Sequence, residues 1–363
     1  MEELKERLSL IPDYRHPAYI GHKLCDIFIT VMVAVLCGLD QLNDLVVFAN
    51  ERKDFFAKHF GITAIPSKPT YSRVLNMTKA DAVVRVIVEI MKERIEELGR
   101  IIAFDGKAIR STGEKGKPHS ALQILSAYLV EEGIVLGQES IHEKTNEIPV
   151  LRDMLDYIDV RGKVVTADAM HCQRETCAKI VDESHGGDYV IGLKENQATI
   201  HNDVALFFND EVNNDIIEEH TTLEKNGGRI ERRICRQTNQ IDWLADHKWP
   251  GLHTVFSVRR IVTIGEIVTD ETSFYIASVD TSAAELLKIS RAHWMIESLH
   301  WMLDEVFEED NCSLLSENGQ QVLNAFRKLA LSIHRNYIKK QPKKRSIKSN
   351  LLRCLISDQV VTH

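Results

Sequence analysis

Residues 100–110, RIIAFDGKAIR, and residues 162–173, GKVVTADAMHCQ, share one pattern: an apolar run that stops on an aspartate, Asp105 in the first and Asp168 in the second. Short continuous apolar runs predict strands buried on both faces. Aspartate is a poor strand former and is costly to bury, so two of them at the downstream ends of such strands call for a reason. If the strands are parallel neighbours, their carboxyl ends bring the two carboxylates together. Close anions need a raised pKa or a cation. A divalent ion held through carboxylate oxygens meets that need and suits phosphate chemistry. The other reading is that each aspartate caps the turn after its strand.

Working outward, ALQILSAYLV (121–130) and GIVLGQESI (133–141) predict two more strands that form an antiparallel meander with the first. NEIPVLRDMLDYI (146–158) predicts a helix with Pro149 near its start, RETCAKIVDES (174–184) another helix, and DYVIGLK (188–194) a further strand. The order predicts an α/β fold with a mixed sheet flanked by helices. Between about 200 and 280 the pattern is β-rich, with Asn226-Gly227-Gly228 marking a hairpin, and reads as an insertion. Upstream, residues 1 to about 97 predict helices over His22–Gly38, Gln41–Phe60 and Lys79–Leu98, plus a short helix after Pro69 that opens with Thr70 and Tyr71. That outline fits a helix-turn-helix or any small helical bundle.

Ser282 and Glu285 form a capping box, and no Gly or Pro follows through Asn318, which predicts a long helix. At 100° per residue, His293, His300, Asp304 and Glu308 fall within about 60° of Glu297. Ala292, Met295, Leu299, Met302, Leu303 and Val306 take the opposite, core-facing arc. The polar face repeats as HWMIE (293–297) and HWMLD (300–304), with tryptophans beside carboxylates. A metal-binding or catalytic face and a salt-linked surface face both fit this pattern.

Composition bounds the class. With 363 residues, 44% hydrophobic and 27% charged, the chain reads as an ordinary soluble globular protein of two or three compact units. The apolar run Ile27–Cys37 falls well short of a membrane span, and the opening MEELKERLSL shows no secretory signal. Seven scattered cysteines without a CxxC pair predict buried thiols in a reducing cytoplasm; Cys172 and Cys177 beside His171 hint at zinc, but no second pair stands at metal spacing, so buried thiols are the expectation there too. The net charge of −8 argues, as an average, against a polyanion partner, but the charges are segregated. Arg327–Arg353 carries ten basic and no acidic residues, leaving −18 for the remainder, while Ser298–Asp310 carries five acidic and no basic ones. Blocks of opposite sign predict a DNA-holding basic arm beside an acidic site. A solvated basic tail is the plainer alternative. Arg229, Arg232, Arg233 and Arg236 form a second basic cluster on the hairpin.

AFDGKAIR, TADAMHCQ, GGDYVIGLKENQ, RAHWMIESLHWMLDEVFEEDNC and the opening IPDYRHPAYIGHKLCDI, in that order, resemble the H-repeat-associated insertion-sequence transposases of the DDE class. The resemblance covers nearly the whole chain. It implies a helical transposase-associated region (1–97) that contacts DNA, a ribonuclease-H-like catalytic domain (98–330) and a basic C-terminal tail (331–363). It also implies a triad of Asp105, Asp168 and Glu297 as metal ligands for Mg²⁺ or Mn²⁺, two ions in all. The related pattern usually has Tyr, Arg and Lys around its glutamate, where Ser290, His293 and Asp304 stand here. Asp304 is the alternative third carboxylate.

The implied activity is cleavage of DNA at element ends and strand transfer into a target, acting on double-stranded DNA as a homodimer in a bacterial cytoplasm and on the nucleoid. Phosphate contacts are expected from Lys107, Arg110, Lys194, Asn196, Gln197, Arg232, Arg233, Lys343, Lys344 and Arg345. The competing readings are a metal-dependent nuclease that does not join strands and an inactive, repurposed DNA-binding copy.

Overall fold

A computed structural model describes residues 2–92, 99–113, 121–141, 146–314 and 316–358. The chain divides into two compact units that are interleaved in sequence, one made of residues 99–105 and 147–297, the other of 1–98, 106–146 and 298–363.

The first unit is built on a mixed sheet. Strands β1 (Ile101–Ile109), β4 (Val164–Ala167) and β5 (Asp188–Leu193) lie side by side and parallel, with Phe104 opposite Ala167 and Ala167 opposite Ile191. Ile101–Phe104 and Val164–Ala167 are buried without alternation, as a parallel sheet covered on both faces demands. Beyond β5 the pairing turns antiparallel, in the spatial order β9 (Ile267–Ala277), β8 (Thr254–Ile264), β7 (Arg229–Thr238), β6 (Glu218–Asn226). The expected hairpin is present: Asn226 faces Arg229 across Gly227 and Gly228, both at positive φ, which a tight two-residue turn requires. Helices α7 (Glu147–Met154), α8 (Arg174–Val181) and α9 (Ala198–Asn209) complete this unit together with most of α10 (Ala283–Glu305). The mixed α/β architecture expected from the sequence is therefore the one the chain forms.

The second unit is mainly helical. Helices α1 (Glu2–Leu8), α2 (Leu24–Leu36), α3 (Leu42–Glu51), α4 (Lys53–Phe60), α5 (Lys68–Met77) and α6 (Ala80–Lys92) precede the hairpin of β2 (Leu122–Leu129) and β3 (Ile134–Ile141). The apolar run at 27–37 forms the body of α2, buried from Leu24 to Leu36 except for Asp26. Its one polar break, Thr30, donates to Ile27 O and accepts from the buried Tyr71 hydroxyl of α5 at 2.8 Å. The helix expected over Gln41–Phe60 is two helices broken at Arg52, and residues 93–98 of the expected Lys79–Leu98 helix lie outside the described residues.

Two sequence expectations need correction. Residues 331–363 are no free tail over their described part. They continue α11 (Glu317–Lys340) and form α12 (Ile347–Ile356), and α11 packs on α2, α5 and α6. The long helix also stops at Glu305. Glu308 takes a left-handed φ of +47°, which removes it from the face that carries Glu297.

Candidate active site

The pairing of Phe104 with Ala167 is the last of the β1–β4 ladder, and Asp105 and Asp168 stand one residue beyond it. Asp168 follows the end of β4, as expected, but Asp105 lies midway along β1, which runs on to Ile109 and so is not ended by its aspartate. Ligand sites of open α/β sheets form where parallel strands end, as β4 does here. Helix α10 supplies Glu297. All three carboxylate residues line one cavity of about 430 Å³, together with Lys194, His201, His293 and Trp294.

Each part is held by a nameable contact. Asp168 accepts the Ala169 N–H through Oδ1 at 2.7 Å, which caps the one-turn 3₁₀ helix Ala169–His171. The capping reading and the site reading thus both apply to this residue. Thr166 Oγ1, two residues back on β4, lies 3.3 Å from His293 Nδ1 on α10, one helical turn before Glu297. At the start of the same helix, Glu285 N donates to Ser282 Oγ at 3.3 Å, as the capping box predicts. Arg291 grips Glu224 of β6 through both terminal nitrogens, at 2.5 and 3.2 Å. The helix buries Leu286, Leu287, Ile289, Ile296, Leu299 and Leu303, whereas Met295, expected in the core, is exposed. Trp294 and Trp301 are 56% and 58% exposed, so the repeated tryptophans face outward.

Of the expected phosphate contacts, Lys194 reaches the site: its ammonium lies 3.6 Å from Asp168 Oδ1 and its side chain is 71% exposed. Arg110, 84% exposed, and Arg232, Lys343, Lys344 and Arg345 are also open to solvent. Four others are committed elsewhere. Lys107 is 10% exposed, forms an ion pair with Asp304 at 2.7 Å and donates to Glu309 at 2.9 Å. Arg233 is 14% exposed and pairs with Glu224 and Glu231. Asn196 Nδ2 donates to Ala169 O and Gln197 Nε2 to Cys172 O, so these amides brace the loop after Asp168. The segment Arg327–Arg353 also holds fewer open charges than its composition implied, because Arg327 and Lys328 are buried. Cys172 and Cys177 are buried thiols, and burial pushes Cys177 up to about 12.

The sequence reading missed a buried charge network. Arg327 donates from Nε to Asp40 Oδ2 at 2.6 Å and from Nη1 to Glu309 Oε1 at 3.1 Å. Glu309 also accepts from Asn324 at 2.6 Å and from Lys107. Burial alone would raise the Glu309 pKa, but the Arg327 and Lys107 cations override it and hold the carboxyl down to about 2. The available signal was periodicity: Arg327 lies four residues after Leu323 and four before Leu331, on the apolar face of its helix.

Whether the cavity suits a divalent ion is judged from its donors. Three carboxylates with one nearby ammonium supply hard oxygen ligands, the kind Mg²⁺ and Mn²⁺ prefer. Among the described residues no three His, Cys, Asp or Glu side chains are grouped closely enough to hold one ion. Mg²⁺ keeps several waters and binds through one or two carboxylates plus substrate phosphates. The donor chemistry fits.

Asp105 on one strand, Asp168 just past the adjacent parallel strand and Glu297 on a helix give this α/β fold one acidic cavity. The transposase DDE domain family matches residues 96–333, and the domain associated with it matches residues 5–91. The chain belongs to the DDE transposase family, in its H-repeat-associated group. "Putative transposase YncI" of Escherichia coli O157:H7 is 32% identical over 99% of this chain and 94% of its own length. "H repeat-associated putative transposase YhhI" of Escherichia coli K12 is 30% identical over 93% of this chain and 91% of its own. Among solved structures, the piggyBac transposase synaptic complex with hairpin DNA aligns with 99% of this chain and 78% of that one at a TM-score of 0.47 and 11% identity.

Proposed function

We propose that this protein is a DNA transposase that cleaves element ends and transfers the freed strand into target DNA, with Asp105, Asp168 and Glu297 as its metal-holding residues. The observation that carries the reading is their convergence on one cavity from two adjacent parallel strands and one helix. These carboxylates would hold two Mg²⁺ or Mn²⁺ ions, which supply activation of the attacking oxygen and stabilisation of the leaving one in an in-line displacement.

The remaining side chains position DNA. Lys194 places an ammonium at the mouth of the site, where a phosphate would neutralise it. Arg110, Arg232 and the Lys343–Arg345 cluster offer exposed charge for backbone contact. Two element ends must be handled together, which is the reason to expect a homodimer, and a DNA substrate places the protein on the nucleoid. Among the described residues no helix is long and apolar enough to cross a membrane.

The test is to sequence the DNA on both sides of the gene for paired inverted repeats and to assay Mg²⁺- or Mn²⁺-dependent cleavage of duplexes carrying them, with wild type and Asp168→Asn compared. Loss of cleavage in the variant with retained DNA binding is expected. Equal cleavage would overturn the triad. Cleavage that is never followed by joining would favour the nuclease, and binding without cleavage the repurposed copy.

A further inference from the structure

Lys107 and Asp304 sit at matched offsets from two members of the triad. On β1, Lys107 is two residues beyond Asp105, and a strand's period of two puts both side chains on one face. On α10, Asp304 is seven residues beyond Glu297, two turns along and only about 20° round the axis. The ion pair of 2.7 Å between Lys107 Nζ and Asp304 Oδ1 therefore ties the strand that carries Asp105 to the helix that carries Glu297. The lysine is not loose: Glu309, fully buried, holds the same ammonium at 2.9 Å and is itself fixed by Arg327 and Asn324. Asp310 holds the turn just after that strand by accepting the Arg110 N–H at 2.8 Å.

From this geometry we infer that Lys107, Asp304 and Glu309 form a splint that sets the separation of Asp105 from Glu297. They act as positioning residues for the metal-holding carboxylates rather than as phosphate contacts or metal ligands. The inference rests on the triad reading above. It also explains why the second H-W-x-x-acid repeat ends in an aspartate that the Glu297 cavity does not include. Open carboxylates gain affinity for a cation only when the elements bearing them are held at a fixed spacing, as supporting contacts do around metal sites.

The test is Mn²⁺ binding to the full-length protein, followed by electron paramagnetic resonance, with the unfolding temperature recorded for every variant. Asp304 is partly exposed and Lys107 retains Glu309, so Asp304→Asn leaves the buried network in place. Asp304→Asn and Lys107→Met are each expected to weaken Mn²⁺ binding by about 10-fold or more. Asp304→Glu is expected to recover most of that loss. Wild-type Mn²⁺ binding in Asp304→Asn, with binding lost in Asp168→Asn and Glu297→Gln, would overturn the splint alone. Binding abolished in both Asp304→Asn and Asp304→Glu but retained in Glu297→Gln would make Asp304 a ligand and also overturn it. Wild-type binding in Asp168→Asn and Glu297→Gln would overturn the triad reading and the splint with it.

Discussion

Lys328 shows how a single side chain can be misread from its neighbours in sequence. It stands in a run of basic residues, yet it is buried, donating to Ser126 Oγ at 2.8 Å and Gln138 Oε1 at 2.9 Å. Burial, the largest influence, lowers its pKa from 10.5 to about 7. A lysine whose folded pKa lies below its unfolded value is protonated more readily in the unfolded chain. Stability therefore rises with pH across the window from about 7 to 10.5, and the contribution is already lost below it. Urea unfolding of wild type across that window should show the rise, and Lys328→Met should flatten it; an unchanged slope in the variant would assign the titration to another group. Glu309 has the opposite sign. Its depressed pKa gives stability that is present above 4.5 and lost as the pH falls toward about 2.

At the scale of elements, α11 and α12 turn a run of positive charge into two different things. Most of α11 is core, buried over much of Gly319–His334, while the basic residues at its end and in the link to α12 stay in solvent. Lys343, Lys344 and Arg345 are all exposed there. Replacing the three with glutamate should weaken duplex binding and make it less salt-dependent. Each lost phosphate contact lowers the slope of log K against log salt by about 0.9. The unfolding temperature should hold, because none of the three is part of a helix or buried. A fall in stability with an unchanged salt slope would mean that this link does not touch DNA.

For the whole molecule, what was legible depended on whether the deciding physics was local. Asp168 could be placed at a strand end because an apolar run followed by a carboxylate is a local signal, whereas the same signal ended β1 too early, since that strand runs four residues past Asp105 to Ile109. The hairpin at Asn226–Gly228 was legible for the same reason. Lys107 was not, because its fate depends on Glu309, 202 residues away, and on whether that residue is buried. The capping box located the start of α10, but nothing local located its end, where Glu308 turns left-handed. Nor could the sequence reveal that the compact units interleave, with 298–363 joining 1–98. The overall charge misled in the same way: −8 is an average over an acidic site, a buried ion network and an exposed basic link.

Strand transfer by Asp105, Asp168 and Glu297 together is measured by joining a pre-cleaved element end, a duplex with a free 3′-hydroxyl, to a target plasmid in Mg²⁺. Wild type should yield joined product. Asp105→Asn, Asp168→Asn and Glu297→Gln should each lose about 10- to 100-fold or more in joining rate, because loss of a ligand costs no less than loss of a group that supports one, while DNA affinity is retained. Joining at the wild-type rate by any one of the three would overturn the triad.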